Sequence, residues 1–113
     1  MTDKDSQKDL SDFSMIGLFR IEAESQAAIL NEGLLALEEN PDATENLESL
    51  MRASHSIKGA ARIVQLDTAV TLAHAMEDCF VAAQDGNLVL TEAHIDRLLR
   101  CVDFLTKISS LDD

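Results

Sequence analysis

The sequence predicts an all-α fold, an antiparallel up-and-down four-helix bundle, and three observations carry that prediction. Apolar residues recur in steps of three and four over four separate stretches, the period of amphipathic helices rather than of strands. Breakers are scarce, with one proline and four glycines, and β-branched runs are absent. The stretches are joined by short connections, which set successive helices antiparallel to one another.

The first stretch runs from Asp12 to about Glu39, with Ile16, Phe19, Ala23, Ala27, Leu30, Leu34 and Leu37 on one face. Asn40-Pro41 stops it, because the residue before proline avoids helical angles and proline cannot donate. Asp42, with Glu45 three residues on, is the expected cap of the second helix, whose inner face carries Leu47, Leu50, Ser54, Ile57, Ala61 and Val64. Asp67 is the expected cap of the third, with Val70, Ala73, Met76 and Phe80 inward and Asp85-Gly86-Asn87 at its end. Thr91 caps the fourth, where Ile95, Leu98, Leu99, Val102, Leu105 and Ile108 form the stripe. The polar start, MTDKDSQKDLSD, is expected to fray as a tail over residues 1–11. One domain then spans 12–109, and residues 110–113 trail off, as in a domain cut from a longer protein.

Composition narrows the function. No charged-then-apolar leader follows Met1, and the longest apolar run is far too short to cross a membrane, so no membrane insertion is expected. Cys79 and Cys101 lack metal-ligand spacing and read as reduced, mostly buried thiols of a cytoplasmic protein. The net charge of −12 argues against nucleic acid, whose phosphates demand clustered cations. Without Trp or Tyr there is no base-stacking platform either. A protein partner is the expectation that remains.

Against this acidic background the stretch SHSIKGAARIV, residues 54–64, stands out. At about 100° per residue, with Ile57 set at the core direction, His55 lies about 160° away and points to solvent. Arg52, Lys58, Gly59 and Arg62 all fall within about 60° of His55. Glycine in an exposed helix interior costs roughly 1 kcal/mol relative to alanine, a residue this chain uses freely nearby. A partner that must come close to the backbone beside His55 would account for it.

The third helix adds His74 and Glu77, three apart on one face. Glu77 leans toward the apolar stripe, an expensive place for a carboxylate that lacks a donor. If the second and third helices form a hairpin turning near Leu66, positions whose numbers sum to about 132 stand at one height. That register pairs His55 with Glu77 and Lys58 with His74. An imidazole with one nitrogen held by a carboxylate presents the other as a nucleophile, and nearby cations can attract and screen a phosphoryl group. The set reads as a histidine that is phosphorylated and passes the group on.

SHSIKGAARIV followed by LAHAMEDCFVAAQDG resembles the histidine-containing phosphotransfer (HPt) domains, in particular the N-terminal domain of CheA-type chemotaxis kinases. LFRIEAESQ in the first helix is similar to the hybrid kinases of Wsp-type surface-sensing pathways. The resemblance spans residues 12–108. It implies that His55 takes phosphate from ATP through a separate histidine-kinase catalytic domain and gives it to an aspartate of a response-regulator receiver domain. It implies Lys58 as the cation beside the phosphate, Gly59 as the cleared approach, and His74 with Glu77 as a supporting network in which Glu77 holds the imidazole. Arg52 and Arg62 are the expected partner-binding residues. Ala60 stands where many members have a second glycine, and Gln65 where glycine is common, which leaves the end of the second helix open. Members of the class can add a fifth helix, which this chain stops short of. No cofactor is expected in this chain, ATP and Mg2+ being used by the partner kinase and receiver domains, and no Gly-rich nucleotide loop occurs.

Two rivals are weaker. A di-iron bundle needs inward Glu-x-x-His pairs, whereas here the order is reversed in His74-x-x-Glu77 and occurs once. A helical docking module without phosphotransfer has no use for a glycine beside an exposed histidine.

Overall fold

The breaks in apolar periodicity are helix ends in the structure, a computed structural model. It describes the backbone of residues 4–41 and 43–110, and the side chains of 15–41, 43 and 45–108. Over these residues the chain forms α1 (Lys4–Glu39), α2 (Thr44–Ile63), α3 (Asp67–Gln84) and α4 (Glu92–Ser110). α1 packs on α2 and α4, α2 on α3, and α3 on α4, with no diagonal contact between these elements. That ring is the predicted up-and-down bundle. Its α3–α4 side is the most sparsely packed.

α1 begins at Lys4, eight residues ahead of the predicted start at Asp12, so residues 4–11 are helix rather than tail. No proline or glycine interrupts the chain there before Gly17. At about 1.5 Å per residue a 36-residue helix is about 54 Å long, nearly the full 59 Å extent of the molecule. α2 to α4, of 18–20 residues each, are about half that length.

The predicted stripes face one another. Leu30, Leu34, Leu50, Ile57, Ala73, Met76 and Phe80 are almost wholly excluded from solvent, and truncating one such large aliphatic side chain to alanine costs about 2–5 kcal/mol. Ile16, Val64, Val70, Leu99 and Ile108 lie at the margins of their stripes and are half-buried instead. Ser54 is fully buried, its hydroxyl donating to the Leu50 carbonyl at 3.0 Å. A Cβ on Gly33 would come within 2.8 Å of Leu50 Cδ2, so the glycine lets α1 close on that layer of α2.

Two of the three expected caps are corrected. Ala43 occupies the N-cap position of α2 and makes no side-chain cap; Asp42 lies outside the described residues. Asp67 is the first helical residue of α3 and Leu66 precedes it at the cap, so Asp67 acts only through the favourable field of a first-turn carboxylate. Thr91 does cap α4, accepting from the His94 N–H at 3.4 Å while His94 Nδ1 accepts from the Thr91 N–H at 3.1 Å. This is the reciprocal geometry of a capping box, with imidazole in place of a carboxylate.

The α2–α3 turn sets the register of the site. Leu66 N–H donates to the Ala61 carbonyl at 3.0 Å and Gln65 N–H to that of Arg62 at 3.1 Å, a Schellman termination. Gln65 takes the left-handed conformation, φ 61°, that this motif demands and that usually selects glycine. α2 therefore ends at Ile63 and α3 starts four residues later. The same motif ends α3, with Gly86 at φ 78°.

Candidate functional site

Three side chains from α2 and α3 meet halfway along their groove. His55 Nδ1 lies 2.7 Å from Glu77 Oε2, and Lys58 Nζ lies 2.6 Å from Glu77 Oε1. The His55–Glu77 contact is the one the inferred hairpin register requires. His55 and Lys58 are three apart on α2, so both can reach one residue of the facing helix. A carboxylate only accepts, so His55 Nδ1 carries the proton toward Glu77. Nε2 of the neutral ring is then the nitrogen with the free lone pair. The His55 side chain is 66% exposed, which removes the core-histidine alternative.

Glu77 is the hinge of the arrangement. Its side chain is only 14% exposed, and both oxygens are occupied by charge-assisted donors. Burial pushes its carboxyl up, but the hydrogen bonds from Lys58 and His55, together with their charges, outweigh that effect and leave it below its ordinary value. Glu77 thus stays ionised and keeps the imidazole oriented.

Lys58 does not stand free on the outer face as the helical wheel suggests. Its side chain is 11% exposed and spent on Glu77. A long aliphatic stem can lie along the α2–α3 groove while its ammonium reaches a partner on the next helix, a freedom that 100° arithmetic does not contain. His74 also departs from expectation. Its Nε2 lies 3.6 Å from Asp78 Oδ1, one turn along α3, and among the described residues it makes no hydrogen bond or ion pair with Glu77, whose oxygens go to His55 and Lys58. Arg52 bonds Glu48 at 2.6 Å, whereas Arg62 is exposed.

Gly59 is exposed, and a Cβ built on it would meet nothing within 4 Å. No described residue forbids a side chain there. Beside it runs an apolar surface that the sequence reading missed. His55, Gly59 and Ile63 follow one another at i, i+4 and i+8 along α2, and Ile63 is 70% exposed. With Leu18, 65% exposed, and Met15, Ile63 borders a cavity of about 410 Å³ between α1 and α2. The available signal was a large aliphatic residue lying off the core stripe of its own helix.

Among the described residues no group of three or more His, Cys, Asp or Glu side chains is placed to hold a metal ion. No helix of the described residues is long and apolar enough to cross a membrane. Cys79 and Cys101 are unpaired and half-buried.

An exposed imidazole held by a buried carboxylate on a helical hairpin defines a phosphotransfer-type bundle, and comparison with known proteins agrees. The family model for the Hpt domain matches residues 14–108, and the chain belongs to that family. It is 28% identical over 91% of its length to the chemotaxis protein CheA of Borreliella burgdorferi, and 33% identical over 77% to the sensor histidine kinase CheAY of Helicobacter pylori. It spans only 12% and 11% of those two proteins. The solved CheA phosphotransferase domain from Thermotoga maritima superposes with a TM-score of 0.81, at 28% identity, covering 85% of this chain and 91% of that one.

Proposed function

We propose that this domain is a covalent phosphocarrier of a CheA-type pathway, with His55 the residue phosphorylated. The observation that carries the reading is the His55–Glu77 bond at 2.7 Å on Nδ1 of an otherwise exposed ring. The Nε2 lone pair attacks the γ-phosphorus of ATP held by a histidine-kinase domain; the N–P bond forms, the bond to the bridging oxygen breaks and ADP leaves. The ring gains positive charge as it attacks, and the ionised Glu77 beside Nδ1–H stabilises that charge without taking the proton. In the second step an aspartate oxygen of a receiver domain attacks the phosphorus, and the N–P electron pair returns to Nε2. ATP and Mg2+ belong to those partner domains, and the kinase activity to a longer parent protein working in the cytoplasm.

The remaining residues act through this centre. Lys58 anchors Glu77 and leaves its charge about one helical turn from the phosphoryl group. Gly59 and the Ile63–Leu18 surface provide a bare, apolar approach for the receiver, with Arg62 and Arg52 on its rim. His74 stands one turn from Glu77 on α3, paired with Asp78.

Incubation with the cognate kinase domain and labelled ATP tests the reading. The label should be lost in acid, survive base, and be absent from His55→Gln. Label that persists in acid, or that forms on His55→Gln, overturns it.

A further inference from the structure

The cavity between α1 and α2 holds a carboxylate that the phosphotransfer chemistry does not use. Its walls are apolar, Leu18 and Phe19 from α1 and Ala60, Ile63 and Val64 from α2, and among its described lining residues Glu22 is the one charged side chain. Glu22 is half-buried. Its Oε2 accepts from Gln26 Nε2 at 3.1 Å, a neutral donor one turn along α1. Among the described residues Oε1 has no hydrogen-bond partner and no cation is paired with either oxygen. Arg52 and Lys58 of the facing helix are committed to Glu48 and Glu77.

Position is the second observation. Gly33 of α1 lies against Leu50 of α2, so in this antiparallel pair positions whose numbers sum to about 83 stand level. Glu22 is therefore level with Ala61, about 9 Å along α2 from His55. A protein contact of ordinary size covers about 800 Å² on each partner, a disc of about 16 Å radius. Centred on His55, such a contact takes in Glu22, although no bond joins Glu22 to the His55–Glu77–Lys58 network. A receiver that closes over Gly59 and Ile63 also strips water from Glu22. Against an apolar surface the carboxylate is then left buried with one neutral donor, which is costly, whereas against Lys or Arg it gains an ion pair. A buried polar group that only one partner can satisfy discriminates more steeply than apolar shape does.

We propose that Glu22 is a specificity-determining residue of the phosphotransfer step. It favours receivers that carry a Lys or Arg on the part of their surface that covers Ala60 and Ile63, away from the acceptor aspartate. The inference rests on His55 passing its phosphoryl group to a receiver. Arg62, exposed on the rim, has the opposite sign, so the two charges together fix the direction in which a receiver lies across α1 and α2.

The protein is phosphorylated by its kinase domain, freed of ATP and mixed with each purified receiver domain encoded in the same genome, and loss of label from the histidine is timed. The wild type should discharge fastest to a receiver with such a cation. Glu22→Gln keeps the size of the side chain and an acceptor for Gln26. It should leave the rate of His55 phosphorylation unchanged, slow transfer to that receiver about tenfold, and narrow the spread among receivers. Glu22→Lys should slow transfer further, and reversing the receiver's cation to Glu should restore it, a rescue that a change in packing cannot produce. An unchanged ranking of receivers in Glu22→Gln, or the absence of any charge reversal that rescues Glu22→Lys, overturns the proposal and leaves phosphotransfer standing. Equal slowing of every receiver and of the kinase step overturns it too, because Glu22 then serves the fold. If the wild type discharges to no receiver, the phosphotransfer reading itself fails and this proposal falls with it.

Discussion

Replacing Glu77 by glutamine separates the two jobs that one carboxylate performs. Glu77 accepts from Lys58 on Oε1 and from His55 on Oε2, at 2.6 and 2.7 Å. Glutamine has one acceptor and one donor end, so a single partner keeps its bond. Lys58, 11% exposed, cannot turn to water, whereas His55 can. The amide oxygen therefore goes to Lys58 and the NH2 faces His55 Nδ1. The ring answers by moving its proton to Nε2, which removes the nucleophilic lone pair from the exposed nitrogen. Phosphorylation should slow by about 10–100-fold without stopping, because the tautomers still interconvert. Breaking a buried ion pair outright costs about 3–5 kcal/mol. With an acceptor retained for Lys58, the loss should be about 1–2 kcal/mol, roughly 4–8 °C in Tm for a domain of this size.

The stability difference should also depend on pH in one direction. Glu77 is held below its ordinary carboxyl value in the fold, so the unfolded chain takes up the proton first on acidification. The stabilisation is complete above the ordinary carboxylate range and disappears as pH falls through the lower, folded value. Wild type and Glu77→Gln should therefore converge in stability toward acid. Nitrogen-15 spectra of the imidazole, recorded beside chemical denaturation at several pH values, read both effects. An unchanged His55 tautomer in Glu77→Gln, or a gap that widens on acidification, refutes the reasoning.

Gly59→Ala should leave the fold intact or stabilise it by up to about 1 kcal/mol, since its Cβ meets nothing within 4 Å; receiver transfer should slow progressively from Ala to Leu, and unchanged transfer in Gly59→Leu removes its role in approach. Gln65→Gly relieves a left-handed residue at φ 61° and should raise stability by about 1 kcal/mol in denaturant melts, with no effect on phosphorylation; a loss of stability would mean that the Schellman turn is not what ends α2.

The sequence alone settled what depends on period and punctuation. Four apolar stripes at helical spacing can be buried together only by packing them inward, and Asn40-Pro41 and Asp85-Gly86-Asn87 mark where the chain must turn. The direction of His55 followed from the same arithmetic, as did its height opposite Glu77, because both depend on backbone geometry that varies little from helix to helix. Helix starts were less legible: Ala43 and Leu66 stand at caps where carboxylates were expected, since packing holds those ends without a side-chain bond. The partner of Lys58 needed the fold. A four-carbon stem can place its ammonium across a wide arc, and the arc chosen is set by which carboxylate on the next helix is desolvated enough to require it. For the same reason His74 stays with Asp78, the carboxylate one turn along its own helix, although the register puts it level with Lys58. The cavity that holds Glu22 is likewise a property of how closely α1 and α2 pack. No residue in either helix states that distance, because it is fixed by the whole core.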